Sequence, residues 1–248
     1  ATPSVDTSFK RPERPIHADQ ETWRAHFCGV GGMGIGTATS ILVKAGHEMG
    51  YQVRYLDKKG LAIRNGGVFS QLVYSRPRPN GEPVPTTAQI PYGTADLLVG
   101  IALLEAARSI DPKLPYRVAS PKRTAAVVNT AKTPTILSLM GRDDFDIDEL
   151  QKTIRKYTLD DRYTGFNVGD LCERILDTKL YANIMMLGIA FQKGYLPLTR
   201  EVIENAIIDV TRGEKERNLR AFKIGRKIAV RPDLFVVEPQ HEYETSRQ

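Results

Sequence analysis

The sequence is poor in cysteine: its 248 residues include only two, Cys28 and Cys172, which lie far apart along the chain. Two isolated thiols cannot by themselves build a framework of disulfides, a structural zinc site or the four-thiolate site of an iron–sulfur cluster. The cysteine count therefore excludes several cofactors before any motif is considered.

Long apolar runs are also missing, because no uncharged stretch reaches the ~18 residues that a membrane-spanning helix needs. The N-terminal residues contain no apolar core of the kind that a signal peptide carries, and we expect a cytoplasmic protein. Hydrophobic residues make up 41% of the chain and charged residues 26%, which is typical of a globular protein and excludes a disordered one. The net charge of +6 is spread along a chain with interspersed acidic residues, so no nucleic-acid-binding surface is indicated.

Composition along the chain predicts one folded domain with two extensions. Residues 1–22 are expected to form an extended arm, because the first twenty residues hold three prolines, many charges and little apolar periodicity. Residues 23–235 are expected to form the folded domain, and residues 236–248 a tail. Within the domain, we expect an α/β core over about 23–140 and a helical part over about 141–235.

The secondary-structure pattern indicates an α/β fold with a mostly parallel sheet, a glycine-rich turn after the first strand, and a helical C-terminal part. Short buried runs predict strands at 25–30, 51–57, 68–74, 96–101 and 124–129. Helical spacing predicts a helix over 38–49 and then helices over 146–157, 168–176, 181–193, 199–211 and 214–230. The first strand, its glycine turn, the helix and the second strand make a βαβ unit.

The glycine turn Gly29-Val30-Gly31-Gly32-Met33-Gly34 matches the pattern G-x-G-x-x-G between a strand and a helix. Glycines let a ligand approach the backbone, and a helix N-terminus offers unpaired N–H groups to a phosphate. A nicotinamide or flavin site is one interpretation, since Asp57 ends the second strand, where an acid would bind ribose hydroxyls. Another phosphate-bearing ligand and a merely structural turn are the alternatives.

A basic, glycine-bearing loop follows the second strand. It contains Lys58, Lys59 and Arg64 and continues into Asn65-Gly66-Gly67. In a parallel sheet this loop leaves from the same end as the glycine turn. Two adjacent loops, one of them cationic, suit a ligand with several phosphates. A solvated basic turn is the alternative interpretation.

The two loops resemble a known family. The run 28–35, CGVGGMGI, and the run 56–70, LDKKGLAIRNGGVFS, resemble the gamma domain of the 2-oxoacid:ferredoxin oxidoreductases, and most closely its indolepyruvate ferredoxin oxidoreductase branch. The second run matches the branch without a gap from Leu56 through Ser70. The family has a histidine after that serine, where this chain has Gln71, so no role is carried over for that imidazole.

The C-terminal part continues the resemblance. The segment 183–194, NIMMLGIAFQKG, followed by Pro197-Leu198, is similar to a stretch of the family that begins with asparagine and contains a Leu-Gly pair. The last helix also resembles that of the branch, at Asn218, Arg220, Ala221, Phe222, Gly225 and Arg226. The resemblance therefore covers roughly residues 24–230.

The resemblance implies an enzyme complex that oxidatively decarboxylates a 2-oxoacid on thiamine diphosphate and magnesium. It passes electrons through [4Fe–4S] clusters to ferredoxin or a similar acceptor and releases an acyl-CoA. This chain lacks the G-D-G segment that binds the magnesium of thiamine diphosphate, and Gly169-Asp170 is the only near match. We therefore expect a non-thiamine subunit, inactive alone, whose partners carry the thiamine diphosphate and ferredoxin-like clusters.

The resemblance further implies that the gamma domain packs on the thiamine-bearing subunits and contributes to the coenzyme A site. The expected roles are backbone N–H groups for phosphate from Gly31, Gly32, Met33 and Gly34, charge from Lys58, Lys59 and Arg64, and a turn lined by Asn65, Gly66 and Ser70. We expect no catalytic residue and no metal ligand in this chain.

The sequence leaves two other functions open. One is a free-standing NAD(P)-dependent oxidoreductase that uses the G-x-G-x-x-G loop, and the other is a scaffolding subunit without a ligand. His26, His47 and Cys28 are each interpreted as structural, and the cations of the last helix as a solvated or interface surface rather than a nucleic-acid contact.

Overall fold

The computed structural model describes residues 12–15, 17, 19–58, 67–111, 113, 117–132 and 145–236, with Lys58 described by its backbone alone. Among these residues, no helix combines the length and the apolar character that a membrane crossing requires.

The described residues form a six-stranded sheet in the order β2-β3-β1-β4-β5-β6. The strands are β1 (Thr22–Val30), β2 (Gln52–Lys58), β3 (Gly67–Ser75), β4 (Leu97–Gly100), β5 (Ala125–Asn129) and β6 (Tyr163–Phe166). β1, β4, β5 and β6 pair in parallel, whereas β3 is antiparallel to both β1 and β2. All strands except β3 therefore run in one direction, which confirms the expected mostly parallel α/β sheet.

The position of β3 changes the predicted βαβ unit, because β3 lies between β1 and β2 and separates them. β3 carries a run of fully buried side chains such as Leu72 and Tyr74 and suits the middle of a sheet. β2 leaves Arg54, Tyr55 and Asp57 exposed and suits an edge. The hairpin formed by β2 and β3 thus has its more apolar strand, β3, in the interior of the sheet and β2 at its edge.

Seven α-helices surround the described sheet. They are α1 (Ile35–Glu48), α2 (Leu103–Ser109), α3 (Ile147–Lys156), α4 (Val168–Leu176), α5 (Ala182–Gln192), α6 (Arg200–Val210) and α7 (Lys215–Val230), with 3-10 turns at Asp160–Arg162, Arg212–Glu214 and Pro232–Phe235. The five predicted C-terminal helices agree with α3 to α7 within one residue at each end. Side chains of Asp146, Asn167 and Thr199 cap α3, α4 and α6, which explains the sharp starts of those helices.

Two elements were not predicted from the sequence, the helix α2 and the strand β6. α2 is only seven residues long, and β6 (Tyr163–Phe166) is a strand of four partly exposed residues. Neither is long enough to show a clear apolar period, so tertiary contacts rather than local pattern define both elements.

The residues before β1 contact the folded domain. The backbone N–H of Glu13 donates to the Gln192 carbonyl at 3.0 Å, and the Arg14 carbonyl lies against Gly194, where a Cβ would not fit. His17 lies 3.3 Å from the buried carboxylate of Asp96 at the amino end of β4. This part of the expected arm therefore packs on its own chain.

Helix α5 lies at the centre of the larger hydrophobic core, and every one of its residues is buried. It packs against α7, α1 and the sheet. The axes of α5 and α7 approach closely, because Gly188 faces the Phe222 carbonyl and Gly225 faces the Met185 carbonyl without room for a Cβ. An apolar helix enclosed on all sides is typical of a protein core.

A smaller core covers the opposite face of the sheet, and His26 and Gln71 lie beside it. They are register partners on β1 and β3, and the Gln71 amide nitrogen lies 3.3 Å from His26 Nδ1. Gln71 Oε1 accepts a hydrogen bond from the Ile90 N–H at 2.8 Å. The position where the resembling family has a histidine is thus paired, across the ladder, with an imidazole from β1.

We predict that Gly225→Ala destabilises the fold by roughly 3 kcal/mol, because the added methyl group would overlap the Met185 backbone and force α5 and α7 apart. Urea unfolding measures this change. Gly213→Ala is the matched control, since a Cβ at Gly213 meets no atom within 4 Å. Equal stability of the two variants would contradict the close packing of α5 on α7.

A pH-dependent loss of stability is predicted for His26. Burial lowers the pKa of His26 from 6.5 to about 4, so between these values the unfolded chain binds a proton that the folded chain does not. The free energy of unfolding should therefore fall by about 1.4 kcal/mol per pH unit as the pH drops through this window. His26→Gln should reduce the slope by this amount, whereas His47→Gln, at an exposed position, should keep the wild-type slope; an unchanged slope in His26→Gln would contradict the assignment.

Candidate functional site

The glycine turn and the described ends of the basic loop lie at the same end of the sheet, where the parallel strands have their carboxyl ends. β1 and β2 run in the same direction, and both loops leave from their carboxyl ends. Val30, the last residue of β1, pairs directly with Gly67, the first residue of β3. Lys59, Arg64, Asn65 and Gly66 lie outside the described residues, as does the side chain of Lys58. Of the residues that flank this connection, Gly67 lies beside the glycine turn, because it pairs with Val30.

The backbone of the glycine turn needs glycine at two positions. Gly32 and Gly34 have φ of 88° and 76°, in the left-handed region that other residues rarely adopt. The turn closes with a hydrogen bond from the Met33 N–H to the Val30 carbonyl at 3.2 Å. A Cβ on Gly31 or Gly32 would meet no atom within 4 Å. The outer face of the turn is therefore open to a ligand.

Helix α1 begins directly after this turn without a capping side chain. Its N-cap is Gly34, which makes no side-chain hydrogen bond, and no acidic residue occupies the first turn. The N–H groups at the start of a helix have no intrahelical acceptors, and together with the helix dipole they attract anions. An exposed glycine turn followed by such a helix start can bind a phosphate.

Ser70 and Asp57 form a second polar feature on the α1 side of the hairpin. They are register partners on β3 and β2, and the Ser70 hydroxyl donates to Asp57 Oδ1 at 2.9 Å. Ser70 is fully buried, whereas Asp57 is exposed. Ser70 therefore supports the hairpin through the Asp57 carboxylate, and that carboxylate stands where a ribose-binding acid was considered.

Two buried asparagines near the carboxyl ends of the parallel strands have no role predicted from the sequence. The Asn183 amide, at the start of α5, donates to the Met33 carbonyl inside the glycine turn. Asn129, at the end of β5, donates to the Ile101 carbonyl at 3.2 Å and accepts from the Gly169 N–H at 3.2 Å. The family resemblance includes Asn183 but implies no role for it, and a buried amide near the start of a largely apolar helix is the sequence signal that points to it.

The two cysteines do not fit a metal or redox site. Burial raises the pKa of the Cys28 thiol to about 12 and that of the Cys172 thiol to about 11, so both stay protonated. They belong to different hydrophobic cores. Among the described residues, no group of three or more His, Cys, Asp and Glu side chains could hold a metal ion. The thiols are structural, as the sequence indicated for Cys28.

The cations of α7 divide into two groups. Arg226 is buried, and its Nε donates to the Gln192 side chain at 2.9 Å while the guanidinium lies over the Phe191 ring. Arg217, Arg220 and Lys223 of the same helix are exposed. Arg226 therefore belongs to the packing of α5 on α7, and the exposed group forms a basic surface.

Comparison with known proteins relates this arrangement to one family and one fold. Residues 24–228 match the family described as pyruvate ferredoxin/flavodoxin oxidoreductase. The chain is similar to the indolepyruvate oxidoreductase subunit IorB of Thermococcus kodakarensis, with 29% identity over 203 residues that cover 81% of this chain and 93% of the relative.

Solved structures share the fold. The gamma subunit of the keto/oxoacid ferredoxin oxidoreductase of Geobacter sulfurreducens superposes with a TM-score of 0.56 at 18% identity, over 84% of this chain and 98% of that one. The 2-oxoglutarate:ferredoxin oxidoreductase of Magnetococcus marinus, solved with 2-oxoglutarate, coenzyme A and succinyl-CoA bound, gives a TM-score of 0.57 at 17% identity, over 89% of this chain and 33% of that one. The resemblance of the two loops is thereby confirmed, and this chain belongs to the pyruvate ferredoxin/flavodoxin oxidoreductase family.

Proposed function

We propose that this chain is the gamma-type subunit of an arylpyruvate-type, and specifically indolepyruvate-type, 2-oxoacid:ferredoxin oxidoreductase, and that it contributes to the coenzyme A site of the complex. The observation that carries the proposal is the open glycine turn at the uncapped start of α1, beside the departure point of the basic loop. The similarity to the IorB subunit supports the indolepyruvate type.

The chemistry of coenzyme A matches what the two loops offer. The coenzyme carries a pyrophosphate and a separate 3′-phosphate, so its nucleotide end needs more positive charge than one helix terminus supplies. The N–H groups of the turn formed by Gly31, Gly32, Met33 and Gly34 would bind one phosphate. Lys58, Lys59 and Arg64 would supply cations to the others, because lysine and arginine bind phosphate strongly.

The remaining expected site residues would shape the hairpin end. Asn65 and Gly66 would allow the basic loop to turn close to the ligand, and Ser70 would hold Asp57 at the base of the hairpin. With its carboxylate engaged by Ser70, Asp57 is restrained from approaching the phosphates. The hairpin would thus keep the Asp57 carboxylate directed at Ser70 rather than at the ligand.

The redox chemistry would lie on partner subunits. The buried, protonated thiols of Cys28 and Cys172 do not fit an iron–sulfur cluster, so the [4Fe–4S] clusters, thiamine diphosphate and magnesium would be bound by thiamine-binding and ferredoxin-like subunits. The complete complex would convert a 2-oxoacid and coenzyme A to carbon dioxide and acyl-CoA, with two electrons passed to ferredoxin or a similar acceptor. We place the complex in the cytoplasm.

Gly31→Leu in the assembled complex is predicted to raise the KM for coenzyme A about tenfold, because the new side chain would fill the open outer face of the turn and block hydrogen bonds of ~1.5 kcal/mol. Steady-state kinetics with coenzyme A as the varied substrate measure the change. Gly213→Leu, at a position that is equally open, is the control and should leave the KM unchanged. An unaltered KM in Gly31→Leu would contradict the proposed site.

Lys59→Ala and Arg64→Ala are each predicted to weaken coenzyme A binding by about tenfold, since each removes a cation from a charge-assisted contact. Calorimetry of the assembled complex measures the affinity. The loss should shrink as the salt concentration increases, because salt screens exposed charges. Arg78→Ala is the control, since Arg78 lies near the amino ends of the parallel strands and contacts Glu21. Wild-type affinity in both loop variants would contradict a cationic loop at the coenzyme.

A further inference from the structure

We infer that Asn183 is a positioning residue of the phosphate site: it holds the Met33 carbonyl on the protein side of the glycine turn, so that the Gly34 N–H points outward to the ligand. This inference rests on the proposed function of the turn and adds a residue from α5 to the site.

The contact comes from the interior of the protein. The Asn183 Nδ2 donates to the Met33 carbonyl, and only 6% of the Asn183 residue is exposed. A Cβ placed on Gly34 would lie 3.1 Å from the same nitrogen. The amide therefore lies directly beneath the turn, opposite the open face above Gly31 and Gly32.

Because of peptide geometry, this single hydrogen bond also fixes the direction of the Gly34 N–H group. The Met33 carbonyl and the Gly34 N–H belong to one peptide unit, and in a trans peptide these two groups point in opposite directions. The described chain contains no cis peptide. A carbonyl held inward by Asn183 consequently leaves the N–H of the same unit directed away from the protein.

Without this hydrogen bond, the turn could adopt a second backbone conformation. Glycine adopts positive and negative φ with similar ease, so the peptide unit before Gly34 could rotate about its two flanking bonds. The rotated unit would present the Met33 carbonyl oxygen to the ligand, and this oxygen would repel a phosphate. Asn183 thus selects the binding orientation of a turn whose glycines permit both.

The support beneath the turn is rigid. Asn183 belongs to α5, whose residues are all buried, and α5 is held against α7 at Gly188 and Gly225 with no space for a side chain. A donor mounted on a packed core helix keeps its position better than one mounted on a loop. The helical C-terminal part thereby contributes to a site that the sequence places wholly in the α/β part.

The test compares Asn183→Leu with Asn218→Leu in the assembled complex. Both wild-type residues are buried asparagines, and the Asn218 amide donates to the Glu214 carbonyl at 2.8 Å, away from the turn. Asn183→Leu should raise the KM for coenzyme A about tenfold, as expected for a site that loses one oriented donor, with the KM for the 2-oxoacid and the saturated kcat unchanged. Asn218→Leu should leave all three parameters unchanged.

A second measurement monitors the protection of the glycine turn in the absence of coenzyme A. Hydrogen exchange of the peptide that spans Gly31 to Gly34 should be faster in Asn183→Leu than in the wild type, and unaffected in Asn218→Leu. If Asn183→Leu does not assemble, Asn183→Asp at alkaline pH takes its place, because an ionised carboxylate matches the amide in size and has no N–H.

The outcomes separate the inference from the proposed function. A wild-type KM for coenzyme A in Asn183→Leu, with a raised KM in Gly31→Leu, overturns the positioning role and leaves the coenzyme site in place. A wild-type KM in both variants overturns the proposed site and the inference with it. An equal rise in Asn218→Leu shows a general structural effect and also overturns the inference.

Discussion

Helix α5 is enclosed by α7, α1 and the sheet, and its close approach to α7 is the constraint on which the arrangement of the domain depends. Gly188 and Gly225 each lie against backbone atoms of the facing helix, so the two helices have little freedom to shift. This packing fixes the position of the first turn of α5, which carries Asn183 and contacts the glycine turn. The position of Asn183, and through it the shape of the glycine turn, follows from the packing of the core.

The local features of the site could be predicted from the sequence, because they depend on residues close together in the chain. The left-handed Gly32 and Gly34 follow from the glycine pattern, and α4 has the predicted bounds because Asn167 caps it. The insertion of β3 between β1 and β2 could not be predicted, since it is decided by which strand buries more apolar surface. The contact of Asn183 with Met33 joins residues 150 positions apart, and no local period encodes it.

The chemistry that the described residues offer is binding rather than electron transfer. The glycine turn and the start of α1 carry backbone N–H groups at an open end of the sheet, whereas the cysteines are buried, protonated and in separate cores. A subunit of this kind would act by holding a phosphorylated cosubstrate against the redox centres of its partners. Its membership of the pyruvate ferredoxin/flavodoxin oxidoreductase family is consistent with this division of labour.

An experimental structure of the assembled complex with bound coenzyme A would show whether the glycine turn of this chain contacts the coenzyme. We predict a phosphate group of the coenzyme within about 3 Å of backbone nitrogens in the turn, with the Gly34 N–H among the donors. Coenzyme A bound with all of its phosphates on the partner subunits, away from this turn, would rule out the proposed site.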